Sequence, residues 1–366
     1  MKQLKIAALA LLAALTFTAC DDDDATPPTV IDPVETVQTN AYIINQGNSY
    51  GGIDGTIDRL ICTATDTIYT TDAFTAANGQ SLGAGPQNAV VYGSRLYVPM
   101  NKENMLWVLN AQTLQIVKRI ETSEPMGVCA AGGNVFVSNY DGYVSCIDTL
   151  SLTEKAKVAV GPNPEQLVAS GANVYVSVSD GMNSTNGYAN GYKLAVIDAK
   201  TGNLRKHIAV GVNPGPIAAA ANGNIYVVSR GNYSDILATV QCVNPNTETV
   251  TNIGQGSLIA ASGDNLYVIN SVTNWTTGVT TNTFDTYSTA TNSKVSSFIA
   301  ESDSKKMPAQ PIFIDVDPKS GAIYIGSDKS AFDYDKQGYV YMYGTNGKLL
   351  HRFGAGIHPY AIAFRQ

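Results

Sequence analysis

The groups able to do chemistry in this chain are few and scattered. There are three histidines in 366 residues, His207, His351 and His358. None stands at metal-ligand spacing from a cysteine, a carboxylate or another histidine. None pairs in sequence with a serine or cysteine nucleophile, although a triad can be assembled from distant positions. Asp328, Asp333 and Asp335 offer oxygen ligands of the kind Ca²⁺ takes, but their spacing is not that of an EF-hand, which favours a solvated loop. The glycine-rich stretches lack GxxxxGK[ST] and sit between strand-like segments, so a phosphate cradle is unsupported. The residues therefore predict no catalytic group, no metal site and no required cofactor. What remains is a population of polar and aromatic side chains in loops, and its meaning depends on the scaffold that holds it.

The scaffold is read from a repeat. Apolar residues make up 44% of the chain, charged residues only 14%, and there are 20 Tyr, a balance that suits β structure. The unit NPEQLVASGANVYVSVSD, Asn163 to Asp180, joins a short small-apolar strand to an aromatic-centred one through a turn at Gly171. The aromatic position recurs at Tyr42, Tyr97, Phe136, Tyr175, Tyr226, Tyr267 and Tyr324, spaced by 55, 39, 39, 51, 41 and 57 residues. The preceding strand is led by Pro86, Pro125, Pro164, Pro214, Gly256, Pro311 and Pro359. Repeats near 40 residues with several short strands each predict a β-propeller. Tyr42 has no preceding strand of this kind and Pro359 no following one, so the two chain ends complete one blade. The expectation is an all-β fold over residues 40–366: a seven-bladed β-propeller of four-stranded antiparallel blades, the ring closed by the C-terminal strand joining the N-terminal blade.

The same alignment bears on the cysteines. Cys62, Cys146 and Cys242 fall at the position held by Val108 and Val196, and Cys129 at that of Val90 and Val168. These are buried apolar positions, three of them in different blades, while Cys129 and Cys146 sit on non-adjacent strands, beyond disulfide reach. Free buried thiols are expected.

Antiparallel blades sort their connections onto two faces. Turns between strands one and two, and three and four, are short and uniform. Everything irregular falls on the other face, including the loops Asn45 to Thr56, Asp180 to Gly191, Ser271 to Asn282 and Asp328 to Gly338. Just past the second strands stand Gln46, Asn101, Tyr140, Arg230, Ser271 and Asp328, near the mouth of the central channel. Farther out are Tyr50, Tyr188, Tyr233, Trp275, Phe332 and Tyr334. His358 lies on the same face at the repeat position of Asn163 and Asn213. Tyr and Trp give rigid contact area and Asn, Ser and Gly give adaptable hydrogen bonds, as in binding surfaces. Turn chemistry alone is the bland alternative for the Gly and Asn.

The N-terminus supplies the address. Lys2 and Lys5 precede an apolar run, Ile6 to Leu15, too short to span a bilayer, and residues 1–19 read as a signal peptide. Phe17-Thr18-Ala19-Cys20 resembles a bacterial lipobox, with Phe17 in place of the usual aliphatic residue. Lipidation at Cys20 is expected, followed by a flexible tether over residues 20–39. The mature chain carries 21 basic against 30 acidic residues. With no basic patch, nucleic acid is excluded as a partner. Membrane contact is expected through the lipid anchor only.

The units NPEQLVASGANVYVS and GYKLAVIDAKTGNLRKHIAVG resemble the YncE-like seven-bladed propellers over about residues 40–366. The opening NAYIINQGN, with the lipobox and the acidic run Asp21 to Asp24, resembles the surface lipoproteins of Bacteroidetes, a branch that includes the BtuG cobalamin-capturing group. That resemblance implies an outer-membrane, cell-surface lipoprotein that is not an enzyme. Its ligand would be cobalamin or a related corrinoid, and its partner a TonB-dependent outer-membrane transporter. The other expectations are a propeller hydrolase or lyase acting on a glycan or lactone, using Asp328, Arg230 and His358, and a protein-interaction scaffold. Asp66-Thr67-Ile68 and Asp148-Thr149-Leu150 also resemble Bacteroidetes O-glycosylation sites.

Overall fold

A computed structural model of the chain describes residues 38–63 and 65–365. The signal segment, Cys20, the acidic run and the tether up to residue 37 lie outside the described residues. Seven antiparallel four-stranded sheets follow one another around a ring. In blade one the inner strand is the C-terminal segment Pro359–Phe364, paired with Thr39–Asn45, which pairs in turn with Thr56–Cys62 and Thr67–Thr70. The seven-bladed reading and its closure by the chain ends are thus correct. Among the described residues no helix is long and apolar enough to cross a membrane. The α-helix Ala73–Asn78 has six residues and bridges blades one and two.

The core is not one mass but seven seams, each between adjacent blades. The recurring aromatic residue explains itself here. Tyr42, Tyr97, Phe136, Tyr226 and Tyr324 are fully buried in these seams. Several also carry a hydroxyl strut to the following blade. Tyr42 donates to the Ala111 carbonyl, Tyr226 to Asn292 at 2.7 Å, and Tyr324 to Thr39 at 2.9 Å. A ring that fills a seam while its hydroxyl finds a partner combines apolar burial with a satisfied polar group.

The uniform face owes its uniformity to one turn. At the end of the third strands, Asn110, Asp148, Asp198 and Asn244 each accept two backbone N–H groups from the residues two and three positions on. The fourth residue on is left-handed: Leu114, Leu152, Gly202 and Glu248. Asx side chains favour such turns strongly enough that non-glycine residues accept positive φ. All four described cysteines are free and buried. Burial pushes the Cys146 thiol up to about 11 and the Cys129 thiol higher still.

One expected loop is something else. Ser271 to Asn282 is not irregular: the second and third strands of blade six run on as Asn265–Asn274 and Val279–Ser288, in register to Asn274↔Val279. Val272, Thr273, Val279, Thr280 and Thr281 are β-branched and continue the strands. Asn274 accepts from the N–H groups of Thr276 and Thr277, closing the turn. The hairpin therefore projects from the irregular face.

Candidate functional site

The irregular face is positioned by a repeated backbone latch. In five of the seven blades the residue just before the inner strand is left-handed: Gly85, Glu124, Asn163, Asn213 and His358 have φ between 46° and 71°. The residue just past the second strand of the same blade donates its N–H to that residue's carbonyl. The pairs are Gln46 to His358, Asn101 to Gly85, Tyr140 to Glu124, Ser179 to Asn163 and Arg230 to Asn213, between 2.9 and 3.2 Å. A non-glycine residue at positive φ costs on the order of 1–3 kcal/mol. Its recurrence shows that the strain belongs to the scaffold rather than to one active group. The latch puts Gln46, Asn101, Tyr140, Ser179 and Arg230 at equivalent positions just past the second strands, and of these Arg230 lines the central cavity.

A second device aims side chains at the axis. The inner strands lose register after the leading proline: between Pro125 and Val128, Pro164 and Leu167, Pro214 and Ile217, and Pro311 and Phe313. In blade one Tyr360 is skipped in the same way. Bulges redirect side chains at strand ends. Here Gln166, Pro216, Ile312 and Tyr360 turn toward a central cavity of about 450 Å³, joined at its mouth by Gln87, Asn88, Arg230 and Ser257.

One ion pair at the mouth was not legible in the sequence. Glu165, a bulge residue of blade four, is buried and binds Arg230 of blade five at 2.6 Å. Tyr140 of blade three donates to the other carboxylate oxygen at 3.3 Å. Burial, and then the charge of Glu165, hold the Tyr140 phenol well above its ordinary range, so it remains a donor. Burial likewise raises Tyr360, with Arg230 opposing and Glu165 reinforcing the shift. Gly215 makes room for the arrangement: a β-carbon there would overlap the Arg230 guanidinium. Asn88 donates to Gln166 at 2.8 Å between blades two and four.

Blades seven and one supply a second pair. Asp328 accepts from, or shares a proton with, His358 Nδ1 at 2.7 Å, and its other oxygen is buried without a partner. The His358 ring lies 5.5 Å from that of Tyr360. Arg230 is committed to Glu165, so the expected grouping of Asp328, Arg230 and His358 forms only in part. No group of three His, Cys, Asp or Glu side chains suited to a metal occurs among the described residues.

The remaining candidates divide. Asn101 is buried, its amide on the Met126 sulfur at 3.3 Å. The Ser271 hydroxyl is buried without a partner. Tyr188 is buried beneath Tyr233, ring centroids 6.4 Å apart, and Tyr233 is exposed. Tyr50 is fully displayed on a short turn, with Lys102 over its ring. Trp275 stands exposed at the hairpin tip, and Tyr334 is exposed in blade seven. Phe332 lies against Gly278, so the blade-seven loop rests on the blade-six hairpin. Glu165, Gln166, Gln87, Asn88 and Tyr360 were missed, although a signal existed. After Pro86, Pro164 and Pro359 the chain places Gln87-Asn88, Glu165-Gln166 and Tyr360, which break its small-apolar pattern.

The sequence profile described as Domain of unknown function (DUF5074) matches residues 39–356. The chain belongs to that family. A comparison with curated proteins returns no match. Among solved structures, hydrazine synthase of Kuenenia stuttgartiensis aligns with TM-score 0.63 at 17% identity, covering 76% of this chain and 89% of that one. A quinonprotein alcohol dehydrogenase-like protein from Bacteroides thetaiotaomicron aligns with TM-score 0.58 at 15% identity, over 89% and 78%. The computationally designed protein Ika8 aligns with TM-score 0.56 at 12% identity, over 91% and 93%. At these identities the likeness shows the fold shared by the DUF5074 chain and its neighbours, and nothing finer.

Two predictions come from this geometry. Glu165→Ala and Arg230→Ala should each destabilise the fold, by about 1–3 kcal/mol, because each leaves a charge short of its partner. Arg230→Ala should be the worse, since the carboxylate is the more buried of the two. In denaturant titrations the double variant should lose less than the sum, with a coupling of at least ~1 kcal/mol; additivity would mean the pair is not coupled.

The second concerns Asp315, deeper in the cavity. The residue is exposed toward the channel and surrounded by the inner strands that line it. Burial pushes its carboxyl up to about 7, against the N–H of Val316 and with the charge of Asp317. A raised carboxyl favours folding at low pH, and the advantage is lost as pH climbs from the ordinary value of 3.8 through about 7. Stability of the native protein relative to Asp315→Asn should therefore fall between pH 4 and pH 8. The exposure of Asp315 limits the change to roughly 1–2 kcal/mol. A pH-independent difference between the two proteins would refute it.

Proposed function

We propose that this DUF5074 protein is an outer-membrane, cell-surface lipoprotein that captures cobalamin or a related corrinoid on the irregular face and passes it to a TonB-dependent transporter. The observation that carries the reading is the chemistry of that face. Three amide side chains, Gln87, Asn88 and Gln166, line the cavity, and the loops of the same face carry exposed Tyr50, Tyr233, Trp275 and Tyr334. A corrinoid is a broad ring edged with amide side chains. It needs a wide surface offering donors and acceptors together, with flat aromatic contact at the edge. A macrocycle of that size would rest across the mouth rather than enter a 450 Å³ cavity. The lipobox-like Cys20 and the acidic run support the address, and the tether would let the propeller reach a neighbouring transporter.

Isothermal titration of the soluble propeller with cyanocobalamin tests this directly. Saturable binding at micromolar protein is expected, weakened by Trp275→Ala together with Tyr233→Ala. No heat and no thermal shift would dispose of the corrinoid reading.

A second reading, a hydrolase or lyase acting on a glycan or lactone, is favoured by one feature, the Asp328–His358 contact at the mouth. A histidine oriented by a buried carboxylate is the usual form of a general base. On this reading a lactone or glycan panel yields turnover that His358→Ala abolishes. Turnover that survives that change, or none at all, removes it.

A further inference from the structure

The spare hydrogen-bonding capacity at the cavity mouth is lopsided. Arg230 uses one guanidinium nitrogen on Glu165, and no other described residue takes the remaining N–H groups. Gln166 accepts from Asn88 with its oxygen, leaving its NH₂ unbonded. The Tyr360 hydroxyl has no partner among the described residues. All three line the same cavity, whereas Glu165 does not. Glu165 sits behind, at 9% side-chain exposure against 28% for Arg230, and its second oxygen is occupied by Tyr140. The carboxylate thus holds the guanidinium in place from the rear while the free edge meets the cavity. Gly215 is the seat: the guanidinium lies where a β-carbon would be, on a backbone of ordinary φ. Below the mouth the walls are mostly apolar, with Leu167, Ile217, Leu258 and Ile259, and the carboxyl of Asp315 stands deeper still. At about 450 Å³ the cavity falls within the range of small-molecule sites.

We infer that this mouth is a binding site for an oxyanion carried on a small apolar body, the oxyanion received by Arg230, Gln166 and Tyr360 and the body lying against the apolar walls. A planar guanidinium with two free N–H groups on one edge matches carboxylate and phosphate geometry. Neutral amide and phenol donors complete the shell without adding charge. The site goes beyond corrinoid capture: it shares Gln166 with the surface assigned to the corrinoid but needs only Arg230, Gln166 and Tyr360 and does not require a macrocycle.

Phenyl phosphate and benzoate are suitable probes, with benzyl alcohol as the uncharged counterpart, followed by calorimetry or ligand-detected NMR on the purified protein. At least one of the two anions should bind saturably below about 20 mM, and the alcohol should not. Which anion binds more tightly assigns the group as phosphate or carboxylate. Gly215→Ala, which displaces the guanidinium and keeps its charge, should weaken binding at least tenfold. The paired change Glu165→Gln with Arg230→Gln, which leaves no lone buried charge, should do the same. The inference is overturned if neither anion saturates, if the alcohol binds equally well, or if both variants retain the native affinity. Cyanocobalamin binding alongside any of those results would sink this subsite and leave capture standing. Anion binding without cyanocobalamin binding would do the reverse.

Discussion

Everything in this molecule depends on one strand pairing, that of Pro359–Phe364 with Thr39–Asn45. A propeller blade is a short twisted sheet that buries its faces only against its neighbours. The hydrophobic material is accordingly parcelled into seven seams, and a ring left open would expose two faces at once. Using the last strand as the inner strand of the first blade closes that gap. Hydroxyl contacts reinforce it: Tyr324 to Thr39, and Thr39 to Asp317, tie blade seven to blade one. Asp58, buried in blade one, accepts from Tyr69 and from the backbone of Asp72 and Gly356. The two chain ends are thus held by a ladder, an apolar seam and buried polar contacts together, which suits a joint that no peptide bond crosses.

Closure has a consequence for function. Once the ring is rigid, the latch and the bulge become means of display. The left-handed residue before the inner strand accepts the N–H that follows the second strand, so the side chain just beyond emerges at a set radius. The bulge after the proline sends further side chains to the axis. Both devices carry strain or lost ladder bonds, and both recur in blades whose displayed residues range from carboxamides to a phenol, a hydroxyl and a guanidinium: Gln46, Asn101, Tyr140, Ser179 and Arg230. The scaffold specifies where a side chain will stand and leaves its identity open.

That separation accounts for what could be read from the sequence. Blade number, strand order, ring closure, free cysteines and the two unlike faces were legible because they follow from apolar period, turn residues and counting. Candidates just past the second strands were legible because the aromatic residue fixes their offset. Glu165 was not, for a physical reason: a bulge shifts the alternation by a residue, and period-two reading assigns the residues after Pro164 to the wrong direction. The partner of Arg230 was equally hidden, since it lies 65 residues away in the neighbouring blade. The blade-six hairpin was read as a loop because Thr, Asn and Ser dominate it. Its β-branched Val and Thr residues carried the opposite signal.

The Glu165–Arg230 pair is best understood against what an apolar alternative would give. A part-buried ion pair gains little net stability over well-packed hydrophobic residues of similar size, and the seam between blades four and five already has Tyr175, Leu194, Ile225 and Val227 to hold it. Stability alone therefore does not call for charge at this place. What the pair provides is direction. Glu165 cannot reach water easily, so it holds the guanidinium against Gly215, and the guanidinium presents its free edge to the cavity. Had the arrangement served only to neutralise a buried carboxylate, a flexible lysine would suffice and Gly215 would have no need to lack a side chain. A planar group, a bare backbone beneath it and a tyrosine donor behind it amount to a positioned donor rather than a packed one. On a face where the scaffold leaves side-chain identity open, the choice of residues at this place is constrained by geometry.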